Sequence, residues 1–222
     1  LGFDVTFEDV APGRPNVIAR RPGRGEAPPL MFCGHLDTVG VTDYDGDPLE
    51  PRSAEGRLYG RGSYDMKGGL AAVLRAVAAT PDTPGDIWLG LVIDEEYASI
   101  GADALAGSAT PMPTVLVEPT DLRACIAHKG FAWLTVTTEG QAAHGSLTGQ
   151  GVDAIAHMGR LLGEMESWAK GVFAAQIDPL LGPASAHASL ISGGLGWSTF
   201  PGQCALKAEH RLLPGQTASD AL

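Results

Sequence analysis

His35 and Asp37 stand two residues apart in "MFCGHLDTVGV" (Met31–Val41), directly after a short apolar run. An imidazole beside a carboxylate at such a place could belong to a metal site, or be a hydrogen-bonded core histidine near an ordinary turn acid. More acids fall at comparable places: Asp65 in "GRGSYDMKGG", Asp94, Glu95 and Glu96 closing "DIWLGLVIDEE", and Glu118 in "TVLVEP". Singly, each has an ordinary reading. Asp65 suits a helix N-terminus, favoured by the dipole, Glu95 and Glu96 suit solvated surface, and Glu118 could mark a strand stopped by Pro119. Gathered together they would repel, by roughly 4 kcal/mol per pair at about 4 Å and an effective dielectric of 20. A cation removes that cost. Histidine with carboxylate oxygens suits zinc, and a shared carboxylate sets two ions about 3.5–4 Å apart. On these residues alone, a metal site and a set of solvated acids both stay open.

The elements that must position these groups are legible in the patterning. "LMFC" (30–33), "DIWLGLVIDEE" (86–96) and "TVLVEP" (114–119) are short apolar runs bounded by turn residues, as buried strands are. Between them, apolar residues recur at helical spacing from Met66 until Pro81, and "ADALAG" (102–107) forms a short helix. Apolar strands separated by helices predict an α/β domain with a mostly parallel sheet covered on both faces. In open sheets of that kind, functional groups collect beyond the carboxyl ends of the strands. His35, Glu95, Glu96 and Glu118 are all predicted there.

The pattern changes near Cys125. "FAWLTVTTEG" alternates as a half-exposed antiparallel strand does, and "GVDAIAHMGRLLGEMESWAKG" is an amphipathic helix. "HASLISGG" and "CALKAEHRLLPG" read as two more strands. "TASDAL" reads as the opening of another helix with Thr217 or Ser219 as N-cap. The order β-α-β-β-α describes a small α+β module inserted in the larger domain. Residues 1–124 are expected to be the N-terminal part of that larger domain, and 125–222 the inserted module.

Composition bounds the partners. The 222 residues carry a formal net charge of −11, and a nucleic-acid footprint would need clustered Lys and Arg. Cys33, Cys125 and Cys204 are sparse, odd in number and without CxxC spacing, which predicts reduced thiols. No apolar run approaches membrane-spanning length and no leader is visible. A cytoplasmic location is expected, although a leader ahead of Leu1 stays open.

"GHLDTV", "GRGSYDMKGG", "DEEYASIGADAL", "VEPT" and "HKGFAWLTVTTEGQAAHGS" together resemble a family of zinc hydrolases. That family includes acetylornithine deacetylase, succinyl-diaminopimelate desuccinylase and glutamate carboxypeptidase. The resemblance implies two zinc ions, with cobalt or manganese as substitutes. It implies His35 and Glu118 on the first ion, Glu96 on the second and Asp65 bridging both. Asp37 would hold the free ring nitrogen of His35, and Glu95 would be the general base for the attacking water. The inserted module would be a lid that also makes a homodimer. His144 would reach the active site of the other subunit and stabilise the oxyanion. Arg211 would bind a substrate carboxylate, for which its fork is suited. Ser198 and Thr199 stand in a loop where relatives commonly have Asn, so polar contacts from that loop to substrate are expected to differ; Glu209 stands where Asp is usual, a mild change.

The reaction implied is hydrolysis of an N-acyl amino acid. A peptidase releasing a C-terminal amino acid is the alternative, and a non-catalytic dimeric relative is a further one. The substrate would be a small acylated amino acid or short peptide, with neither nucleic acid nor membrane as partner. The family's last zinc ligand is a histidine beyond the lid, which this sequence does not reach, and the helix usual before "GFDVTFEDV" is also missing. The chain is therefore expected to be a fragment with little activity by itself.

Overall fold

A computed structural model describes residues 1–221. The chain divides into two compact units, Leu1–Ala124 and Cys125–Leu222.

In the first unit, β1 (Asp4–Ala11) and β2 (Arg14–Arg21) form an antiparallel hairpin, followed by β3 (Leu30–His35). A two-stranded ribbon, β4 (Arg52–Ala54) and β5 (Arg57–Tyr59), precedes α1 (Gly68–Ala79). Then come β6 (Ile87–Val92), α2 (Ile100–Ser108) and β7 (Thr114–Leu116). The sheet order is β1-β2-β6-β3-β7, with β3 parallel to both β6 and β7 but β2 antiparallel to β6.

The α/β expectation holds, but the sheet is mixed and not mostly parallel. The difference lies in the hairpin, for which no strands were expected ahead of Leu30. Its strands carry many charged residues, and the mark they leave is the Pro12–Gly13 turn, with Gly13 at φ 69°.

Alternating side chains of β3 explain the layering. Leu30 and Phe32 pack with Val73 and Val77 of α1, whereas Met31 and Cys33 pack with Leu105 of α2. The two helices therefore cover opposite faces, and a sheet buried on both sides needs the continuous apolar strands seen in β3 and β6.

In the second unit, β8 (Gly130–Glu139) leads to α3 (Ala154–Ala175), then the short pair β9 (Ile177–Asp178) and β10 (Gly182–Pro183). β11 (Ser185–Gly193) and β12 (Gln203–Leu212) complete an antiparallel sheet in the order β11-β12-β8. Asp153 caps α3 by accepting from the Ala156 amide at 2.9 Å. Cys204 and Leu206 alternate inward along β12 and pack with Ala154 and Met158 of α3. The expected terminal helix is a 3-10 turn, Ala218–Ala221, preceded by Thr217, whose amide and hydroxyl both donate to Asp220. Among the described residues no helix is long and apolar enough to cross a membrane, and all three cysteines are free.

Candidate metal centre

The first unit gathers its chemistry past the end of β3. His35 is the last residue of that strand, and its side chain is 1% exposed. A Cβ at Gly34 would fall 2.6 Å from the Met66 thioether methyl and 2.8 Å from a Leu70 methyl, so any side chain there would push on the residues that close over the strand end. The turn after β5, Ser63–Lys67, is irregular, with a cis peptide between Asp65 and Met66. The regular helix begins at Gly68, two residues later than the periodicity from Met66 predicts. Asp65 consequently stands in the turn ahead of α1, and not in its first turn.

Strand β6 likewise ends earlier than expected, at Val92, and Asp94, Glu95 and Glu96 lie in the turn beyond it. Asp94 has φ 64°, and its carbonyl accepts from Tyr97, Ala98 and Ser99 amides. Asp is among the few residue types that visit the left-handed region.

Around the His35 ring, Nε2 lies 3.0 Å from Asp65 Oδ1, 3.7 Å from Glu118 Oε1 and 3.9 Å from Glu95 Oε2. His35, Asp65 and Glu118 each offer a donor atom within 4.8 Å of the others, the set of three that could hold one metal ion among the described residues. Glu96 is outside that set: its Oε1 accepts from the Val39 amide at 3.2 Å.

Asp37 behaves differently from what the resemblance implies. Its main-chain carbonyl, at 3.0 Å, takes Nδ1 of His35, while its carboxylate stands 3.7 Å away. The carboxylate instead accepts from the Glu95 and Glu96 amides, both at 3.2 Å. Asp37 therefore orients the His35 ring through its backbone and holds the Glu95–Glu96 turn through its side chain.

The electrostatics fit a cation. Burial, reinforced by the charges of Asp65, Glu95 and Glu96, pushes the Glu118 carboxyl up to about 7 against the opposing pull of His35. Glu95 is raised by burial and by its acidic neighbours Glu96, Asp65 and Asp37. Burial alone would lower the His35 imidazole, but the Asp65 hydrogen bond, Glu118, the Asp37 carbonyl and Glu95 raise it overall. Carboxylates brought this close without enough positive charge take up protons; a divalent ion would keep them ionised. Imidazole and carboxylate donors suit zinc and its neighbours in the first transition row.

Two residues of the site carry no signal in the sequence beyond their neighbours. Met66, fully buried, accepts from the His35 amide through sulfur at 3.1 Å. Lys67 donates to the Leu36 carbonyl at 2.6 Å and ties the turn to the strand end. Beside Glu118 opens a cleft of about 760 Å³ whose lining includes Tyr64, Val73, Val117 and Leu122.

The remaining expected residues belong to the second unit. His144 pairs with Thr199 in an isolated antiparallel bridge, and the Gly145 amide donates to Ser198 at 2.7 Å. His144, Ser198 and Thr199 thus share one corner, where His144 Nδ1 accepts from the Ser146 amide at 3.3 Å and lies 2.8 Å from its hydroxyl. Arg211 is elsewhere, near the far end of β12, ion-paired with Glu209 and with its guanidinium over Phe131.

A strand-end histidine and two carboxylates thus gather at one end of a layered α/β sheet, in a set that could hold a metal ion. The family model for peptidase family M20/M25/M40 matches residues 31–200, and the chain belongs to that family. It is 30% identical over 215 residues to an acetylornithine deacetylase from Myxococcus xanthus, covering 95% of this chain and 57% of that protein. A probable succinyl-diaminopimelate desuccinylase from Staphylococcus epidermidis is 35% identical over 180 residues, 77% of this chain and 44% of that one. Among solved structures, the M20 family metallo-carboxypeptidase Sso-CP2 from Sulfolobus solfataricus superposes with a TM-score of 0.71 at 14% identity, covering 100% of this chain and 65% of that one. Human carnosine dipeptidase 1 gives 0.68 at 20% identity, covering 99% and 62%. The fold is therefore shared with this family. The chain spans less than three fifths of the length of these curated relatives.

Proposed function

We propose that the whole protein is a metal-dependent hydrolase that cleaves the amide bond of an N-acyl amino acid, with Glu95 as its general base. The observation that carries this reading is the approach of Asp65, Glu118 and Glu95 to the same nitrogen, Nε2 of His35, within 3.9 Å. Two zinc ions, or cobalt or manganese in their place, would be held by His35 and Glu118 on one side, Glu96 on the other, and Asp65 between them. The ions supply positive charge that acidifies water and polarises a carbonyl oxygen.

The chain's own residues do the rest. The Asp37 carbonyl holds Nδ1, which leaves Nε2 as the donor atom for metal. Glu95 is close to the cluster yet free of the three-donor set, and its raised affinity for protons suits taking one from water and returning it to the leaving amine. The similarity to acetylornithine deacetylase and desuccinylase sequences supports an acylated amino acid as substrate.

In the second unit, a lid on this reading, Arg211 would bind the substrate carboxylate and His144 the developing oxyanion. Ser198 and Thr199 would make polar contacts beside His144. Gln203, near the His144 corner, and Arg211 are eight steps apart along β12, roughly 26 Å at strand rise. One copy of the lid cannot bring both to a single small substrate, which favours a homodimer contributing one residue from each subunit.

A panel of N-acetyl amino acids, N-succinyl amino acids and dipeptides, offered to the whole protein with zinc or cobalt, tests the proposal. Turnover of an N-acyl amino acid that vanishes in Glu95→Ala is the expected result. Cleavage of dipeptides alone would move the assignment to a peptidase, and turnover surviving Glu95→Ala would remove Glu95 from the chemistry.

A further inference from the structure

We infer that Asn16, assisted by Arg14, is a positioning residue for Glu95 and Glu96, acting through contacts separate from those of Asp37. The inference rests on the hydrolase reading and adds to it a part of the machinery drawn from the edge hairpin.

Asn16 is fully buried in β2, a setting in which asparagine is uncommon. The ladder between β2 and β6 stops at Val17–Leu91, and there the Asn16 side chain takes over. Its Oδ1 accepts from the Ile93 amide at 3.1 Å, two residues before Glu95. Its Nδ2 donates to the Gly101 carbonyl at 2.8 Å, in the first turn of α2, and to Glu8 Oε2 at 2.9 Å. One amide thereby joins both ends of the segment that carries Glu95 and Glu96. The approach is close enough to demand glycine at 101: a Cβ there would lie 2.4 Å from the Ile93 carbonyl oxygen and 2.6 Å from Asn16 Oδ1.

Arg14, two residues earlier on the same strand, donates to Asp94 Oδ1 at 3.0 Å. That aspartate is buried, sits at φ 64°, and its carbonyl nucleates the turn. Asp37 then takes the two amides of Glu95 and Glu96 from the metal side. Held at both ends and across its middle, the turn has little freedom to swing Glu95 away from the His35 cluster. Displacement of a catalytic group by about 1 Å can cost a hundredfold in rate.

The test compares Asn16→Leu, which keeps the volume and loses all three hydrogen bonds, with Arg14→Met and Arg14→Lys, in the whole protein. Cobalt(II) titration followed by visible absorption reads the metal sites, and kcat and KM are measured on the substrate that the panel above identifies. The expected result for Asn16→Leu is a kcat lower by tenfold to about a hundredfold with KM within about twofold. The first equivalent of cobalt should bind as in the unmodified protein, and the second, at Glu96, at least tenfold more weakly. Arg14→Met should move the same quantities in the same direction by less, and Arg14→Lys should restore them.

A purely architectural role predicts a lower melting temperature for Asn16→Leu with unchanged kcat and unchanged second-equivalent affinity in the folded fraction, and that result would overturn the inference. Should Asn16→Leu not fold, Arg14→Met decides: unmodified kcat and cobalt binding in that variant would overturn it equally. An unmodified protein that takes up no cobalt, or that turns over without Glu95, would instead defeat the hydrolase reading, and the inference would go with it.

Discussion

Replacing Glu118 by Gln should have opposite effects on stability with and without metal. In the metal-free protein burial and neighbouring charges hold the Glu118 carboxyl at about 7, against 4.5 for an unperturbed glutamate. Between those values the folded chain keeps a proton that the unfolded chain has released. Stability therefore falls as pH rises from 4.5 through 7, and the deficit persists above it. Fully felt, the difference corresponds to roughly 3 kcal/mol; with the side chain 38% exposed, water screens it to about 1–2 kcal/mol. His35 and Glu95, both raised, add in the same direction. At pH 8 without metal, Glu118→Gln removes an ionised, poorly compensated carboxylate and should stabilise the protein by about 1–2 kcal/mol, with little effect near pH 4.5. Zinc at a hundred times its Kd should stabilise the unmodified protein by about 2.7 kcal/mol, and the variant by far less. Urea unfolding at both pH values, after chelation and after zinc saturation, measures all of these terms. A metal-free variant less stable than the unmodified protein at pH 8, or one that gains as much from zinc, would refute the reasoning.

Other expectations follow from the same geometry. Glu95→Gln should lower kcat by about 10²–10⁴-fold while metal content, read by elemental analysis, is unchanged. His144→Ala in the whole protein should lower kcat by about 10²–10³-fold with both metal equivalents retained, the loss expected on removing an oxyanion donor. His210 is buried against Trp168 and Phe173, and both its ring nitrogens lack hydrogen-bond partners among the described residues. Burial holds its imidazole below the ordinary 6.5 despite Asp220. The stability it contributes is complete above pH 6.5 and is lost as pH falls from there through the folded value, so His210→Phe should flatten the melting temperature over that window.

The residues that could be found in the sequence are those whose types are expensive to place. His35, Asp65 and Glu118 are each ordinary singly, but gathered beyond the strand ends they would repel without a cation, and three short strands announced themselves as apolar runs. What could not be read is how the loops turn. Glu95 and Glu96 looked like the end of a strand, yet β6 stops at Val92 and a left-handed Asp94 turns the chain. The two roles of Asp37 divide between its carbonyl and its carboxylate, a distinction that residue type does not encode. The hairpin β1–β2 was missed because Asp4, Glu8, Arg14 and Arg20 interrupt its apolar pattern, leaving the Pro12–Gly13 turn as its sign. Asn16 was hidden with it. An asparagine in such a strand looks like a solvated residue until the Ile93 amide and the Gly101 carbonyl are seen on either side of it.

Anomalous scattering from zinc-loaded crystals of the whole protein would show whether His35, Asp65 and Glu118 share a metal ion. One zinc is expected within about 2.0–2.2 Å of His35 Nε2 and of carboxylate oxygens from Asp65 and Glu118, and a second about 3.5–4 Å away beside Glu96. Zinc bound elsewhere, with the His35 ring still hydrogen-bonded to Asp65 and unliganded, would contradict it.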